Sequence, residues 1–139
     1  MKIVLDTNIL LVSISDGSPC YWVWKRLAEG AFTLCFTTEI LNEYAEIIEE
    51  HMGVEVMSQT MDALMEHPHV HFVTKYYHWN LIEIDPDDNK FVDCAIAANA
   101  DFIVTQDKHF QILRKVPFPK IEVLNLDQFS RLFDEDDVF

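Results

Sequence analysis

Four acidic side chains occupy positions from which they could share one metal site: Asp6, Glu43, Asp88 and Asp107. Asp6 follows the apolar segment Lys2–Leu5, and Asp107 follows the apolar segment Phe102–Thr105, so both acids come at the ends of predicted strands. In parallel α/β sheets the carboxyl ends of the strands meet at one edge, and ligands bind there. We therefore expect Asp6 and Asp107 to lie at the same edge of a sheet.

The other two acids lie in predicted helices. Glu43 falls at the border of the apolar face of the helix that follows the second strand. Asp88 lies in the first turn of a helix that is predicted to begin at Asp85 and to lead into the fourth strand. Either Asp85 or Asp93 could share or replace the role of Asp88, and the residues alone leave that choice open.

The chemistry of this acidic set favours a hard divalent cation. Four carboxylates in one place repel one another, and burying them unpaired is costly, so a cation would stabilise them. Oxygen ligands without a cysteine or histidine cluster favour Mg²⁺ or Mn²⁺. Such an ion can bind a phosphodiester, activate water and stabilise the leaving oxygen. Each acid also has an ordinary explanation as a helix cap or a solvated side chain, so it is their common location that predicts a site.

Apolar segments that are typical of strands alternate with helical segments along the chain. The predicted strands are Lys2–Leu5, Phe32–Phe36, Val70–Thr74, Phe102–Thr105 and Ile121–Leu124. The predicted helices are Ile9–Ile14, Tyr21–Glu29, Thr38–Glu50, Val54–Glu66, Asp85–Asn99, Lys108–Arg114 and Leu126–Phe133. This alternation predicts right-handed crossovers and a mainly parallel five-stranded sheet with helices on both faces. The predicted fold class is a three-layer α/β/α sandwich, formed by residues 1–139 as a single domain.

The composition limits the classes of function. A net charge of −14 argues against a broad electrostatic footprint for nucleic acid, although it permits a small contact bridged by a metal. The three cysteines are widely spaced, which argues against a disulfide framework and a cysteine zinc site. We find neither a membrane span nor a signal peptide, and we expect a cytoplasmic protein. The acidic run Asp134–Asp137 is predicted to be a solvated tail.

Three segments of the chain resemble the PIN-domain family, close to its toxin-like, VapC-related branch. They are DTN after the first strand, TTEILNEYAEII around Glu43, and DPDDNKFVDCAIAANADFIVTQD from Asp85 to Asp107. The resemblance covers nearly the whole chain, and the ordered set of acids is more specific than any single motif. It implies a PIN fold and an Mg²⁺- or Mn²⁺-dependent endoribonuclease, of the kind often neutralised by an antitoxin in a toxin–antitoxin pair.

Carried over by motif, the resemblance assigns roles to six residues. The metal-binding and catalytic acids would be Asp6, Glu43, Asp88 and Asp107, while Asn8 and Thr105 would be supporting polar residues that hold waters or carboxylates in place. The expected partners are an RNA substrate, an antitoxin protein and a second copy of the chain.

Four basic residues near the predicted edge are candidates for RNA binding: Lys90, Lys108, Arg114 and Lys115. The chain has only ten Lys and Arg residues, so we expect bound metal to supply much of the attraction for phosphate while these residues guide the RNA strand.

Two other functions remain open. A haloacid-dehalogenase-like phosphatase also carries an aspartate after its first strand, but it normally has a second aspartate two residues later, where this chain has Asn8. A catalytically silent PIN-like module that binds RNA or a protein is the other alternative. The presence of an acid at all four motif positions argues against it.

Overall fold

The computed structural model describes residues 1–134 and contains a five-stranded sheet in which every strand pairing is parallel. The strands are β1 (Lys2–Leu5), β2 (Thr33–Phe36), β3 (Val70–Phe72), β4 (Phe102–Val104) and β5 (Val123–Leu124). Their order in the sheet is β3-β2-β1-β4-β5. All five predicted strands are confirmed, and the observed strands end within two residues of the predicted positions.

Within residues 1–134, five α-helices and two stretches of 3-10 helix connect the strands, and a sixth α-helix follows β5. The α-helices are α1 (Thr7–Ser13), α2 (Tyr21–Ala28), α3 (Thr38–Met52), α4 (Val54–Glu66), α5 (Asn89–Ala98) and α6 (Leu126–Asp134). No helix among residues 1–134 is both long enough and apolar enough to cross a membrane. Of the predicted acidic tail, only Asp134 belongs to the described residues.

The two 3-10 stretches differ from the α-helices expected from the sequence. The helix predicted from Asp85 begins as the 3-10 turn Pro86–Asp88 before α5 continues it. The segment Lys108–Lys115 is 3-10 throughout. Its two buried side chains, Phe110 and Leu113, are three residues apart, and a 3-10 helix places such residues on one side.

The path of the chain places helices on both faces of the sheet. From β1 the chain moves through β2 to β3, and it then returns to the opposite side of β1 to form β4 and β5. Because parallel crossovers are right-handed, α1 to α4 cover one face and α5 covers the other. On the first face, the rings of Trp22 in α2 and Phe129 in α6 lie 5.6 Å apart. The predicted α/β fold with a parallel five-stranded sheet is confirmed.

The strand order reverses at β1 and β4, since β2 and β3 are added on one side of β1 and β4 and β5 on the other, and this reversal determines where a ligand can bind. β1 is the central strand, and Ile3, Val4 and Leu5 are buried completely or almost completely. The strand therefore reads as a continuous apolar run, as expected for a strand covered on both faces. Helices leave the neighbouring ends of β1 and β4 toward opposite faces, and the crevice between such strands is the usual ligand site of an open parallel sheet.

The long connection between β3 and α5 is held in place by two side chains of α5. Residues 73–85 contain no helix or strand. The amide of Asn89 accepts a hydrogen bond from the backbone N–H of Ile82 at 2.9 Å and donates one to its carbonyl at 2.8 Å. The carboxylate of Asp93 accepts a hydrogen bond from the backbone N–H of Trp79 at 3.1 Å. These contacts attach the connection to the first half of α5 and thereby fix the turn that precedes it.

A buried tyrosine of α3 fixes the end of β1. The hydroxyl of Tyr44 in α3 donates a hydrogen bond of 2.6 Å to the carbonyl of Leu5, the last residue of the strand. Tyr44 is completely buried, and burial raises the pKa of its hydroxyl well above the ordinary value. The neutral hydroxyl therefore serves as a hydrogen-bond donor, and it positions the backbone that carries Asp6.

Replacing Tyr44 tests this contact. We expect Tyr44→Phe to lower the free energy of unfolding by about 1–3 kcal/mol, because the buried carbonyl of Leu5 loses its donor from α3. Urea denaturation followed by circular dichroism measures the change. The control is Tyr76→Phe, since Tyr76 is 91% exposed. Equal stability of the two variants would show that the Tyr44 hydrogen bond does not stabilise the fold.

Candidate active site

The carboxylate of Asp6 is buried at the carboxyl end of β1 and does not cap the helix that follows. Its Oδ2 atom accepts a hydrogen bond of 2.7 Å from the hydroxyl of Thr105. Burial raises the pKa of Asp6, and the charges of Asp107 and Glu43 raise it further, against the opposing effect of the hydrogen bonds from Thr105 and Thr7. Asp6 therefore interacts with the other acids, and its role differs from that of an ordinary helix cap.

The hydroxyl of Thr105 connects two of the acids. Besides donating to Asp6, its Oγ1 atom accepts a hydrogen bond of 3.0 Å from the backbone N–H of Asp107. The carboxylate of Asp107 in turn accepts a hydrogen bond of 2.9 Å from the backbone N–H of His109 and so caps the 3-10 helix. Thr105 thus fixes Asp6 and the backbone of Asp107 relative to each other.

Glu43 reaches the same region from α3. One carboxylate oxygen accepts a hydrogen bond from the hydroxyl of Thr7, at the start of α1. The other oxygen lies 2.6 Å from the ammonium of Lys90, which also lies 2.8 Å from the carboxylate of Asp87. Burial lowers the pKa of Lys90, but the hydrogen bonds to Asp87 and Glu43 outweigh this effect and raise the pKa overall. Lys90 is therefore a permanent positive charge beside the acids.

Asp88 is the acid with the least compensation. It is 9% exposed, it takes the N-cap position of α5 without a capping hydrogen bond, and its Oδ2 atom has no hydrogen-bond partner among the described residues. Burial, followed by the charges of Asp85, Asp107 and Asp6, raises the pKa of Asp88 to about 7, while His109 acts in the opposite direction. A buried carboxylate with an unpaired oxygen among other acids is the environment that a bound cation would stabilise.

His109 belongs to this cluster, although no role was predicted for it from the sequence. Its Nδ1 atom lies 3.8 Å from a carboxylate oxygen of Asp88 and 3.5 Å from one of Asp107. Ligand atoms of Asp85, Asp88 and His109 all lie within 4.8 Å of one another. The available signal in the sequence was a histidine two residues after an acid at a strand end.

The structure therefore brings Asp6, Glu43, Asp88 and Asp107 together, and their neighbourhood fits a divalent cation. Most of the donor atoms are carboxylate oxygens, which suit Mg²⁺ and Mn²⁺. The unpaired Oδ2 of Asp88 is available as a ligand. The two alternatives that the sequence left open lie in different places: Asp85 adjoins Asp88, whereas Asp93 contacts the loop before α5.

Two of the other candidate residues have environments that differ from the expected ones. Asn8 is exposed on the first turn of α1, and the adjacent Thr7 is the residue that contacts Glu43. Lys90 was a candidate for binding RNA, but it is only 6% exposed, and its ammonium pairs with two carboxylates inside the site. Those carboxylates compete with phosphate for its charge. The remaining basic candidates are exposed: Lys108, Arg114 and Lys115.

An apolar cavity of about 290 Å³ adjoins the acids. It is bordered by Leu81, Ile82, Glu83, Ile84, His109 and Ile112. His109 borders both this cavity and the acidic cluster. A ligand held at the acids would therefore have an apolar wall on one side.

The sequence pattern of the PIN domain family matches residues 2–109. This chain belongs to the PIN domain family. The matched region contains all four acids and His109. A search of curated proteins found no match. Membership of the PIN family confirms the resemblance inferred from the acidic motifs.

Several solved structures share the PIN fold with this chain at low sequence identity. VapBC2 from Rickettsia felis, bound to a DNA fragment from its promoter, aligns with a TM-score of 0.64 and 21% identity over 91% of this chain and 100% of that chain. VapC20 from Mycobacterium tuberculosis, a toxin that cleaves the sarcin–ricin loop, aligns with a TM-score of 0.55 and 15% identity over 78% and 92% of the two chains. The PIN domain of human SMG5 aligns with a TM-score of 0.55 and 13% identity over 95% of this chain and 99% of that chain.

Replacing Asp88 tests whether its unpaired carboxylate destabilises this PIN domain in the absence of a cation. At pH 8 with EDTA, we expect Asp88→Asn to be more stable than the wild type by about 1 kcal/mol, or roughly 3–5 °C, because the variant lacks a carboxylate destabilised by burial and by its neighbours. Addition of Mg²⁺ should raise the melting temperature of the wild type but not that of the variant.

Differential scanning fluorimetry gives both melting temperatures. Asp62→Asn, which alters an exposed acid of α4, is the matched control and should respond to Mg²⁺ as the wild type does. A similar Mg²⁺ response in Asp88→Asn would show that Asp88 does not contribute to cation binding.

Proposed function

We propose that this PIN domain is a divalent-metal-dependent endoribonuclease that hydrolyses RNA phosphodiesters and acts as the toxin of a toxin–antitoxin pair. The proposal depends on one observation: the uncompensated carboxylate of Asp88, buried among other acids at the switch point of a parallel sheet. Perturbed carboxylates in a crevice are typical of functional sites. The PIN family favours nuclease chemistry over the phosphatase alternative.

The side chains of this chain divide into ligands and positioning residues. Asp6, Glu43, Asp88 and Asp107 would hold one or two ions. When bound, such ions supply Lewis acidity toward the phosphate and an activated water. Thr105 keeps the carboxylate of Asp6 directed into the site through its 2.7 Å hydrogen bond.

Glu43 is positioned from two sides. Thr7 donates a hydrogen bond to one of its oxygens, and the ammonium of Lys90 pairs with the other. The charge of Lys90 also offsets part of the repulsion among the acids. Lys90 therefore acts inside the site by orienting Glu43.

An antitoxin partner is supported by the structural relatives and by charge. The relatives include VapBC complexes, among them DNA-bound VapBC from Salmonella typhimurium. A chain with a net charge of −14 suits a basic protein partner. A small basic or DNA-binding protein encoded directly upstream would be the candidate antitoxin, and co-expression followed by size-exclusion chromatography would detect the complex and any homodimer.

Incubation with RNA tests the catalytic part of the proposal. We expect the wild-type protein to cleave members of a diverse, structured RNA pool with Mg²⁺ or Mn²⁺ and to lose this activity in EDTA. Asp6→Asn should lower the rate on the order of 100-fold or more, since even residues that support metal ligands contribute 10–100-fold. Gel analysis of end-labelled RNA measures the rates.

The control for this experiment is Asp62→Asn, an exposed acid on α4 outside the site. If the wild type cleaves no RNA in the pool, the chain is a catalytically silent binding module. If cleavage survives in Asp6→Asn, the activity comes from a contaminant or from another site.

The exposed lysines of the 3-10 helix provide a separate test of RNA binding. Lys108 and Lys115 are exposed near Asp107, and we expect the double change Lys108→Glu and Lys115→Glu to weaken RNA binding and to reduce the salt slope by roughly 1–2, because fewer counterions are released. The affinity should be measured by fluorescence anisotropy at several salt concentrations, in an Asp6→Asn background that prevents cleavage.

Lys25→Glu, on the exposed surface of α2, is the matched control because it makes the same type of charge change away from the site. An unchanged affinity of the double variant would remove these two lysines from the RNA-binding surface.

A further inference from the structure

We propose that His109 supplies a nitrogen ligand to the metal site, together with Asp85 and Asp88, and that the site consequently prefers Mn²⁺ to Mg²⁺. This inference deepens the proposed function, on which it rests, by naming the ion and a ligand outside the set of four acids. It is carried by the position of one imidazole nitrogen relative to two carboxylates.

The distances around His109 fit an intervening ion better than a direct hydrogen bond. Its Nδ1 atom lies 3.8 Å from Asp88 Oδ2 and 3.5 Å from Asp107 Oδ1. Both separations exceed the ordinary range for an N–H···O hydrogen bond. A small divalent cation binds its ligands at about 2.1 Å, so a single ion can contact atoms up to roughly 4.2 Å apart. Both separations fall within that limit.

The two atoms that face each other across this gap are Nδ1 of His109 and Oδ2 of Asp88. Nδ1 of His109 and Oδ2 of Asp88 are both buried and make no hydrogen bond among the described residues. Asp88 itself is 9% exposed. Buried polar atoms are normally hydrogen-bonded, and an exception calls for a water or an ion. Two buried atoms that can each donate a lone pair, and that face one gap without a hydrogen bond, indicate a bound cation.

The local backbone holds the imidazole in this position. The carboxylate of Asp107 accepts a hydrogen bond of 2.9 Å from the backbone N–H of His109 and so fixes the first turn of the 3-10 helix. Asp85 is held similarly, since its carboxylate accepts a bond from the N–H of Asp87 at 3.3 Å, in the turn before α5. The ligand atoms of Asp85, Asp88 and His109 lie within 4.8 Å of one another as a result.

The nitrogen ligand determines which ion the site prefers. Mg²⁺ takes oxygen ligands almost exclusively. Divalent transition-metal ions also accept imidazole nitrogen, and their affinity rises with such ligands. A site made only of carboxylates would bind Mg²⁺ and Mn²⁺ with less discrimination. His109 therefore converts an oxygen site into one of mixed oxygen and nitrogen ligands.

Metal binding by the wild-type chain and by His109→Asn tests this inference without RNA. The asparagine offers an oxygen, which Mg²⁺ accepts, in place of the imidazole nitrogen. We expect the Kd for Mn²⁺ to rise about 10-fold or more and the Kd for Mg²⁺ to change less than about 3-fold. Isothermal titration calorimetry at pH 7.5 measures both values, and circular dichroism confirms that each protein is folded.

The matched control is His78→Asn. His78 is an exposed histidine whose Nδ1 atom lies 3.7 Å from the carboxylate of Asp93, outside the acidic cluster. It should leave both Kd values unchanged. Equal changes in the two Kd values of His109→Asn, or no change in either, would overturn the inference.

A spectroscopic measurement separates this inference from the proposed function. Pulsed electron paramagnetic resonance of bound Mn²⁺ should show a ¹⁴N coupling in the wild type that disappears in His109→Asn and in His109→Ala. If the coupling is present and no RNA is cleaved, the proposed function is wrong and the ligand assignment stands. If RNA is cleaved and no such coupling is seen, the function stands and the assignment of His109 is wrong.

Discussion

Repulsion among carboxylates at one edge of the sheet is the constraint on which the rest of this structure depends. Charges that leave water are costly unless they are paired, and like charges make the cost larger. The chain offsets part of it with short contacts: Thr105 donates to Asp6, and the ammonium of Lys90 lies 2.6 Å from Glu43. Thr105 directly follows β4 and Lys90 lies in α5, so the interactions that offset the repulsion among the acids also hold separate elements together.

The compensation is incomplete at two atoms of the candidate site. Asp88 and His109 each retain a buried atom without a hydrogen-bond partner among the described residues. A structure selected only for stability would have replaced or paired such groups, because neutral or apolar side chains of similar size are often more stable. Buried polar atoms without a hydrogen-bond partner occur mainly at functional sites, where a ligand supplies the missing interaction.

The geometry of the site follows from the order of the strands and from one irregular connection. The order β3-β2-β1-β4-β5 places the ends of β1 and β4 side by side, which brings Asp6 and Thr105 together. The connection of residues 73–85 then delivers the start of α5 to the same edge, and Asn89 fixes it through two hydrogen bonds to Ile82. Proteins with 13–21% identity to this chain share the fold, so the arrangement of the backbone tolerates wide change in sequence.

The sequence by itself determined the five strands, the parallel α/β class and the family, because these depend on local periodicity and on the order of motifs along the chain. It also predicted the four acids of the candidate site from their positions at strand ends and in helices. The tertiary structure decided which neighbours each acid meets. It placed Asp85 beside the acids and Asp93 against the loop, buried Lys90, and brought in Thr7 and His109. Such contacts join residues that are far apart in the chain: Glu43 and Lys90 are 47 positions apart, and Asp6 and Thr105 are 99 positions apart. They depend on strand order, on the path of an irregular loop and on the 3-10 geometry after Asp107, none of which leaves a periodic signal in the sequence.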